Sequence, residues 1–493
     1  MIFAVSMTFI DQTIVSIAIP VIEDDVGLSS TGAQWIVNGY LLALAALFAF
    51  GGRIADVMGH RRMVMAGIAI FATASALCGA TPTGSIGEAW LIFFRVIQGA
   101  GAAIMFPAAL AIVVAAFPQN ERGKALAIFF GVAGGMTALG PIAGGYLIEI
   151  TWRAIFWINI PIAILAVLLT LKSKPDDTRR PAPIDYRGAV LFALGIGLLV
   201  LGLQQASTWG WDSPATWGSI VVGLLFTFAF VRTQLSTEYP LMQVRIFENR
   251  AFAADNAILF LISIAFVPMF LFASLYSQIS LGDDASSAGL YIGTFFFGFV
   301  IAAQVGGNIL DKQGAKAAVV PGCIIAAVGF YLWGTQMPDL DYSSGWWRIA
   351  VAGAGTGLIL GPVSTDALNR APSTSYGEAT GITQTARNLG ASLGLAILGT
   401  VLIERTRVNV EDELASRIGK PEADAIAESL TQASSGSSSG GGKGSAEIFE
   451  KVQLAFALST ETIFIAMGGA MLLAGIVALI FLPAGKAPEA PVS

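Results

Sequence analysis

The sequence predicts an all-α integral membrane protein: fourteen transmembrane helices forming two pseudo-symmetric six-helix bundles, with an inserted helix pair between them. Three observations carry that expectation. Of 493 residues, 55% are hydrophobic and 12% charged, with a mean hydropathy of +0.72, whereas about a quarter of a soluble domain is charged. Apolar windows long enough to cross about 30 Å of hydrocarbon recur along the chain. One short polar signature occurs twice: GGRIADVMGHRR at 51–62 and GGNILDKQGAK at 306–316, an offset of 255. The copies share Gly51/Gly306, Gly52/Gly307, Ile54/Ile309, Asp56/Asp311, Gly59/Gly314 and a cation at Arg61/Lys316.

The spans follow in order at 2–22, 33–51, 63–80, 89–116, 124–149, 154–172, 187–205, 216–234, 252–277, 287–309, 316–336, 346–369, 377–403 and 454–483. The first has neither a basic n-region nor a small-residue cleavage site, so it reads as a spanning helix and not a signal peptide. Most of the 27 Lys and Arg residues fall on one side of this alternation, while loops 23–32, 81–88, 206–215 and 278–286 hold none. The positive-inside rule then places both termini in the cytosol. Helices seven and eight have no partner in the repeat, which divides the chain into a first bundle at 1–172, an inserted pair with its loops at 173–250, and a second bundle at 251–493. Residues 404–453 form a polar extracytoplasmic loop, helical in pattern up to Leu430 and then low-complexity at SSGSSSGGGKGS; a tolerated loop is the favoured reading over a lid or partner site.

Composition excludes several classes of function. The net charge of −6 comes with cations confined to short loops, so no nucleic-acid partner is expected. Cys78 and Cys323 both sit in apolar runs, and His60 is the single histidine, which removes disulfide frameworks, histidine metal clusters and Ser/His/Asp chemistry. With no phosphate loop and no nucleophile beside a base, the chain does not read as an enzyme.

Polar groups inside the spans are functional candidates by default, because each is costly in lipid. Asp11 follows ten largely apolar residues and so lies roughly 15 Å deep, where desolvation is expected to raise its pKa and let it exchange a proton near neutral pH. Arg95, with Gln98 three residues on along the same face, must meet an inner cavity or an acid, and Asp11 is the candidate partner. Gly99, Gly101, Met105 and Pro107 follow in the same helix. The fifth span carries Gly131, Gly135, Gly140, Pro141, Gly144 and Gly145 in GVAGGMTALGPIAGGYL, at small-xxx-small spacings that let a helix bend and slide. Gln384, Arg387 and Asn388 form one polar stripe, either lining a cavity or clamping to Asp366 or Glu378. Asp255 is a weaker candidate near a helix end.

These stretches together resemble the major facilitator superfamily, and specifically its fourteen-helix drug:proton antiporter branch. The doubled signature resembles that family's loop after helix two, in which Gly52, Asp56, Gly59, Arg61 and the second-copy Asp311 would form a conformational latch. FIDQTIVSIAIP at 9–20 resembles the first-helix signature, which implies a proton-coupling role for Asp11; the fourth-helix motif implies one for Arg95, and the fifth-helix motif implies export. TWRAIFWINIP at 151–161 is also similar to that branch. The chain departs from the pattern at Val57 and His60, where Arg is usual, and at Asn308 in place of the Arg53 of the first copy.

The resemblance implies proton-coupled efflux of lipophilic, cationic drugs or toxic small molecules by alternating access. The coupling ion is the proton and no other cofactor is expected; the partners are a small lipophilic substrate and the lipid bilayer of the cytoplasmic membrane, with the protein a monomer. A lipid, lysolipid or natural-product exporter would share nearly every feature, and a metabolite importer fits everything but the fifth-helix motif.

Overall fold

The computed structural model describes residues 1–486 apart from 29, 85, 119–120, 174–182, 284, 344, 372–375, 419–425 and 427–445. All regular structure among the described residues is helical, as expected where each backbone N–H must find a partner within its own segment. The helices are α1 Ile2–Val26, α2 Ser30–Met58, α3 His60–Gly79, α4 Gly87–Ala116, α5 Arg122–Ile150, α6 Ala154–Trp157, α7 Asn159–Ser173 and α8 Tyr186–Trp209. They continue as α9 Pro214–Gln234, α10 Arg250–Ile279, α11 Ala285–Gln313, α12 Ala315–Gly334, α13 Trp346–Asn369, α14 Tyr376–Ile418 and α15 Ala446–Phe481. Among the described residues, eleven helices are long and apolar enough to cross a membrane.

The doubled signature is not the loop its polarity suggests. A single residue separates α2 from α3 and α11 from α12: Gly59 with φ 103° and Gly314 with φ 90°. A side chain is strained at such positive φ, so only glycine reverses the chain there cheaply. The sixth span is in two pieces, α6 and α7. Pro161 lacks the N–H that would bond the Trp157 carbonyl, and the helix interrupts at Ile158.

Helix contacts follow small residues. In the first half α4 packs against α2 and α3, α1 against α5, and α3 against α7; in the second, α13 packs against α11 and α12, α10 against α14, and α12 against α15. Across the halves α2 meets α14 and α5 meets α11, while α8 lies against both α2 and α14 with α9 outside it. A Cβ on Gly353 of α13 would fall on the Phe295 carbonyl of α11, and one on Gly357 on the Phe299 carbonyl. At the end away from Gly59, Asp25 of α1 accepts from Trp152 Nε1 and Arg153 Nη1, both at 2.8 Å, and these bonds hold its carboxyl below the usual carboxylate range.

The segment expected as a polar loop at 404–453 is entered by helix from both sides. α14 runs 43 residues, roughly 65 Å, and α15 begins at Ala446, ahead of the apolar window. Asn409 donates to Ser459 at 2.9 Å and Lys451 pairs with Glu413 at 2.9 Å, so the two extensions clasp each other. The Gly/Ser tract lies outside the described residues.

Gly353→Val is expected to destabilise the purified protein by about 1–3 kcal/mol through overpacking. Gly293→Val, where a Cβ meets nothing within 4 Å, should leave its thermal unfolding midpoint close to wild type. Equal midpoints for the two variants would contradict the crossing described.

Candidate functional site

Asp11 occupies the middle of α1 and is fully buried. Its carboxylate meets Arg95 of α4, with Nη1 2.5 Å from Oδ2. Gln98 Nε2 donates to Oδ1 at 2.8 Å, and Asn159 Nδ2, at the break between α6 and α7, approaches the same oxygen at 3.4 Å. The guanidinium is held in turn by Gln98 Oε1 at 2.8 Å, by the Ile36 carbonyl at 2.9 Å, and by the ring of Tyr40, whose centroid lies 4.4 Å from Cζ. Asn159 also donates to Ser75 Oγ at 3.0 Å, which donates to the Phe156 carbonyl at 2.8 Å. Five helices thus converge on one buried ion pair. The lone desolvated carboxylate expected from sequence is instead a paired one, and donors to the carboxylate together with acceptors for the guanidinium offset much of the cost of burying them.

The α5 glycines place α1. A Cβ on Gly140 would strike Thr13 Oγ1 and one on Gly144 would press on Ile14 Cγ1 at 2.9 Å, so these two glycines admit the segment of α1 that carries Asp11. Gly131 looks toward Val300 of α11 across the halves, at 4.0 Å from a built Cβ. Gly145 is half-buried; Gly135 and Pro141 lie within α5, but their surroundings are outside the described residues.

The two copies of the signature each reach into the opposite half. Asp56, at the end of α2, accepts the backbone N–H of Gly377 at 3.0 Å and of Glu378 at 2.8 Å, the first turn of α14. Asp311, at the end of α11, accepts the N–H of Gly123 at 3.0 Å and of Lys124 at 3.2 Å, the first turn of α5. A carboxylate at a helix N-terminus satisfies orphan donors and meets the positive end of the dipole. Gly52 makes the first crossing close enough, since a Cβ there would overlap the Gly377 carbonyl. His60 Nε2 lies 2.9 Å from Asp56 Oδ1, so the chain's single histidine is not merely solvated. Arg61 is half-buried in the first turn of α3. Arg122 Nη1 adds a bond to Asn369 Oδ1 of the second half at 3.1 Å.

Of the remaining sequence candidates, Met105 is buried against Gly67 of α3 inside the first half. Arg387 Nη1 donates to Gln384 Oε1 at 3.1 Å and Asn388 to the Gln384 carbonyl at 3.0 Å, within α14. Of the two acids considered as clamps for that stripe, Asp366 is bonded by Arg370 and Glu378 accepts the Gln243 N–H. Asp255 lies near Asp366, not near the Asp11 pair. Tyr40, Ser75 and Asn159 were not legible as site residues; Asn159 falls in a recognisable stretch, TWRAIFWINIP, but nothing in its spacing aims it at Asp11.

The sequence matches the family model described as Major Facilitator Superfamily over residues 1–395. It is 34% identical over 433 residues to the tetracenomycin C resistance and export protein of Streptomyces glaucescens, covering 86% of this chain and 79% of that one. It is 29% identical over 419 residues to the multidrug transporter protein MdtP of Bacillus subtilis (strain 168), covering 84% and 76%. The solved structure of the proton:xylose symporter XylE bound to 6-bromo-6-deoxy-D-glucose superposes with a TM-score of 0.64 over 99% of this chain and 95% of that one, at 14% identity, a likeness of fold alone.

Removing one partner of the buried pair leaves the other uncompensated. Arg95→Ala is expected to cost about 3–5 kcal/mol of stability, and adding Asp11→Asn to it should recover part of that loss. Additive effects in the double variant, read from thermal unfolding of the purified protein, would show that the two side chains are not coupled.

Proposed function

The chain belongs to the major facilitator superfamily, a family of membrane transporters, and from that premise we propose that it expels lipophilic, cationic drugs or toxic compounds across the cytoplasmic membrane in exchange for protons. The observation that carries the reading is the Asp11–Arg95 pair, a buried acid and counter-ion in the half of the bundle whose helices also cross into the other half. Relatives named for antibiotic resistance, export and multidrug transport favour drugs as the substrate class.

The arrangement is fourteen spans, with α6 and α7 counted as one, grouped as six, two and six. The contacts of α4 with α2 and α3 have counterparts in those of α13 with α11 and α12, and α1 with α5 has one in α10 with α14, which supports two related halves about an inserted pair at 173–250. Both termini and the Gly59 and Gly314 turns lie in the cytosol. With Asp56 and Asp311 seated on the opposite half, the cytosolic end is latched and the protein faces outward, the alternating-access arrangement of a repeat-built transporter.

A proton from outside reaching Asp11 cancels its charge and frees Arg95 from the pair. The guanidinium then keeps the Tyr40 ring, Gln98 Oε1 and the Ile36 carbonyl as supports, so the proton changes the balance between α1 and α4 without stranding a cation. When the latch opens, the acid discharges to the cytosol and re-forms the pair. Each inward proton contributes about 2.3 kcal/mol per 100 mV and about 1.4 kcal/mol per unit of pH difference. No other cofactor is required, and a monomer contains both halves.

Everted vesicles bearing the wild-type protein should accumulate a fluorescent lipophilic cation when a proton gradient is imposed, and Asp11→Asn at matched expression should lower gradient-driven uptake at least tenfold. Wild-type vesicles that move no such cation under any gradient would refute drug export; undiminished uptake by Asp11→Asn would remove Asp11 from coupling.

Opening the latch should shift the state of the protein. Asp56→Ala deletes the carboxylate bonded by Gly377 and Glu378. It is expected to raise alkylation by a membrane-impermeant thiol reagent, in everted vesicles, of a cysteine placed at Ser364, which is 4% exposed in the latched protein. Unchanged labelling would show that this crossing does not hold the cytosolic end closed.

A further inference from the structure

The second half buries a pair of acids that the Asp11 mechanism leaves unused. Asp255, in the second turn of α10, and Asp366, in the last turn of α13, are 0% and 1% exposed and lie about the same guanidinium nitrogen. One cation serves both: Arg370 Nε bonds Asp366 Oδ2 at 2.7 Å and stands 3.8 Å from Asp255 Oδ2. Both oxygens of Asp255 and Oδ1 of Asp366 are buried without a hydrogen-bond donor. Among the described residues, the charged groups facing Asp255 are Asp366 of α13 and Arg370 just past its end. On the other helices packed against α10, Glu378 is turned to Gln243, Arg387 to Gln384, Asp311 to the start of α5, Lys451 to Glu413 and Glu461 toward Asp339.

Charge and hydrogen-bond counting fix what this pair needs. With both acids ionised, the cluster has a net negative charge in a dry site and three acceptor oxygens with no donor. One proton neutralises the cluster and leaves a single oxygen, the carbonyl of Asp255, without a donor in place of three. A neutral Asp255 donates its O–H to Asp366 Oδ1, Asp366 remains an anion on Arg370, and the cluster is neutral; two carboxyls sharing one site hold a proton for this reason.

We propose that Asp255 and Asp366 form a second proton site, carrying one shared proton while the cytosolic end is latched and releasing it to the cytosol when the halves part. The exit follows from position. Arg370 directly follows Asn369, which Arg122 of the first half bonds at 3.1 Å, and Arg122 also lies over the Tyr376 ring with Cζ 5.2 Å from its centroid. Separation of the halves removes these covers and lets water reach Arg370 and Asp366. Asp255 then gives its proton to water and becomes a hydrated carboxylate. The latched state binds the extra proton, so a lower cytosolic pH favours it. The release step rests on the alternating-access reading above, whereas the presence of the proton does not.

Infrared spectroscopy of the purified full-length protein at neutral pH tests this directly through the carbonyl stretch of a protonated carboxylic acid. The expected result is a band present in the wild type and in Asp11→Asn but lost in Asp255→Asn, whose amide can still donate to Asp366. Asp366→Asn is a second route to the same loss, because Arg370 is then left to Asp255 alone and holds it ionised. A wild type without the band, or one whose band survives both substitutions, would overturn the proton site whether or not the protein exports drugs. Asp56→Ala should reduce the band at least twofold by opening the cytosolic end; a band of full intensity there would overturn the release step while leaving drug export to be judged by the vesicle assay.

Discussion

A carboxylate near the middle of a membrane is tolerable only if its charge is cancelled and its oxygens are given donors, and much of the first half is arranged to meet that condition for Asp11. Arg95 supplies the charge, Gln98 is bonded to both partners, and Asn159 comes in from the sixth span because Pro161 interrupts the helix beside it. Gly140 and Gly144 let α1 sit closely enough on α5 for the acid to reach α4. Each of these would be a defect alone: a proline and an interrupted helix within one span, and glycines that weaken another. Together they make a polar site that is rigid while paired and unstable when either partner changes charge, a property suited to coupling.

The crossings between the halves use a different economy. Asp56 and Asp311 bond backbone N–H groups at the starts of α14 and α5, groups that no intrahelical carbonyl can satisfy. Water can replace the carboxylates at these helix ends, so the crossings stabilise the closed state without making opening prohibitive. That contrasts with the Asp11 pair, which is buried inside the first half. The buried ion pair thus lies within the first half, while the polar bonds between the halves, beside the packing of α2 on α14 and α5 on α11, are ones that water can replace, as the alternating-access reading requires.

Much of this was legible in the sequence, because the membrane imposes strong rules on it. The doubled signature and the placement of Asp11 and Arg95 could be read directly, since charge in an apolar run is conspicuous. What escaped was of two kinds. Asn159, Ser75 and Tyr40 are uncharged and ordinary in composition, and only the fold aims them at the pair. The other is the clasp beyond the apolar windows: the helical pattern past residue 404 is visible, but nothing in it pairs Asn409 with Ser459 or Lys451 with Glu413. The signature itself was misread as loop, since its charges suggested solvent while Gly59 alone does the turning.

The two acidic sites differ in a way that bears on how protons and latch are linked. Asp11 has a full counter-charge and donors to both oxygens. Asp255 has neither: its nearest cation is already committed to Asp366, at 2.7 Å against 3.8 Å. The same conformation therefore holds a fully paired acid in the first half and, on the proposal made above, a protonated one in the second. In the proposed cycle, parting the halves at the Asp56 and Asp311 crossings would hydrate the Asp255 cluster directly, through Arg370, and would reach Asp11 only by way of α1 and its contacts with α4 and α5. That reading ties proton loss at Asp255 to opening itself, and proton exchange at Asp11 to the rearrangement within the first half. The inserted pair leaves this difference intact, because α8 braces α2 and α14 from outside and adds no charge to either cluster.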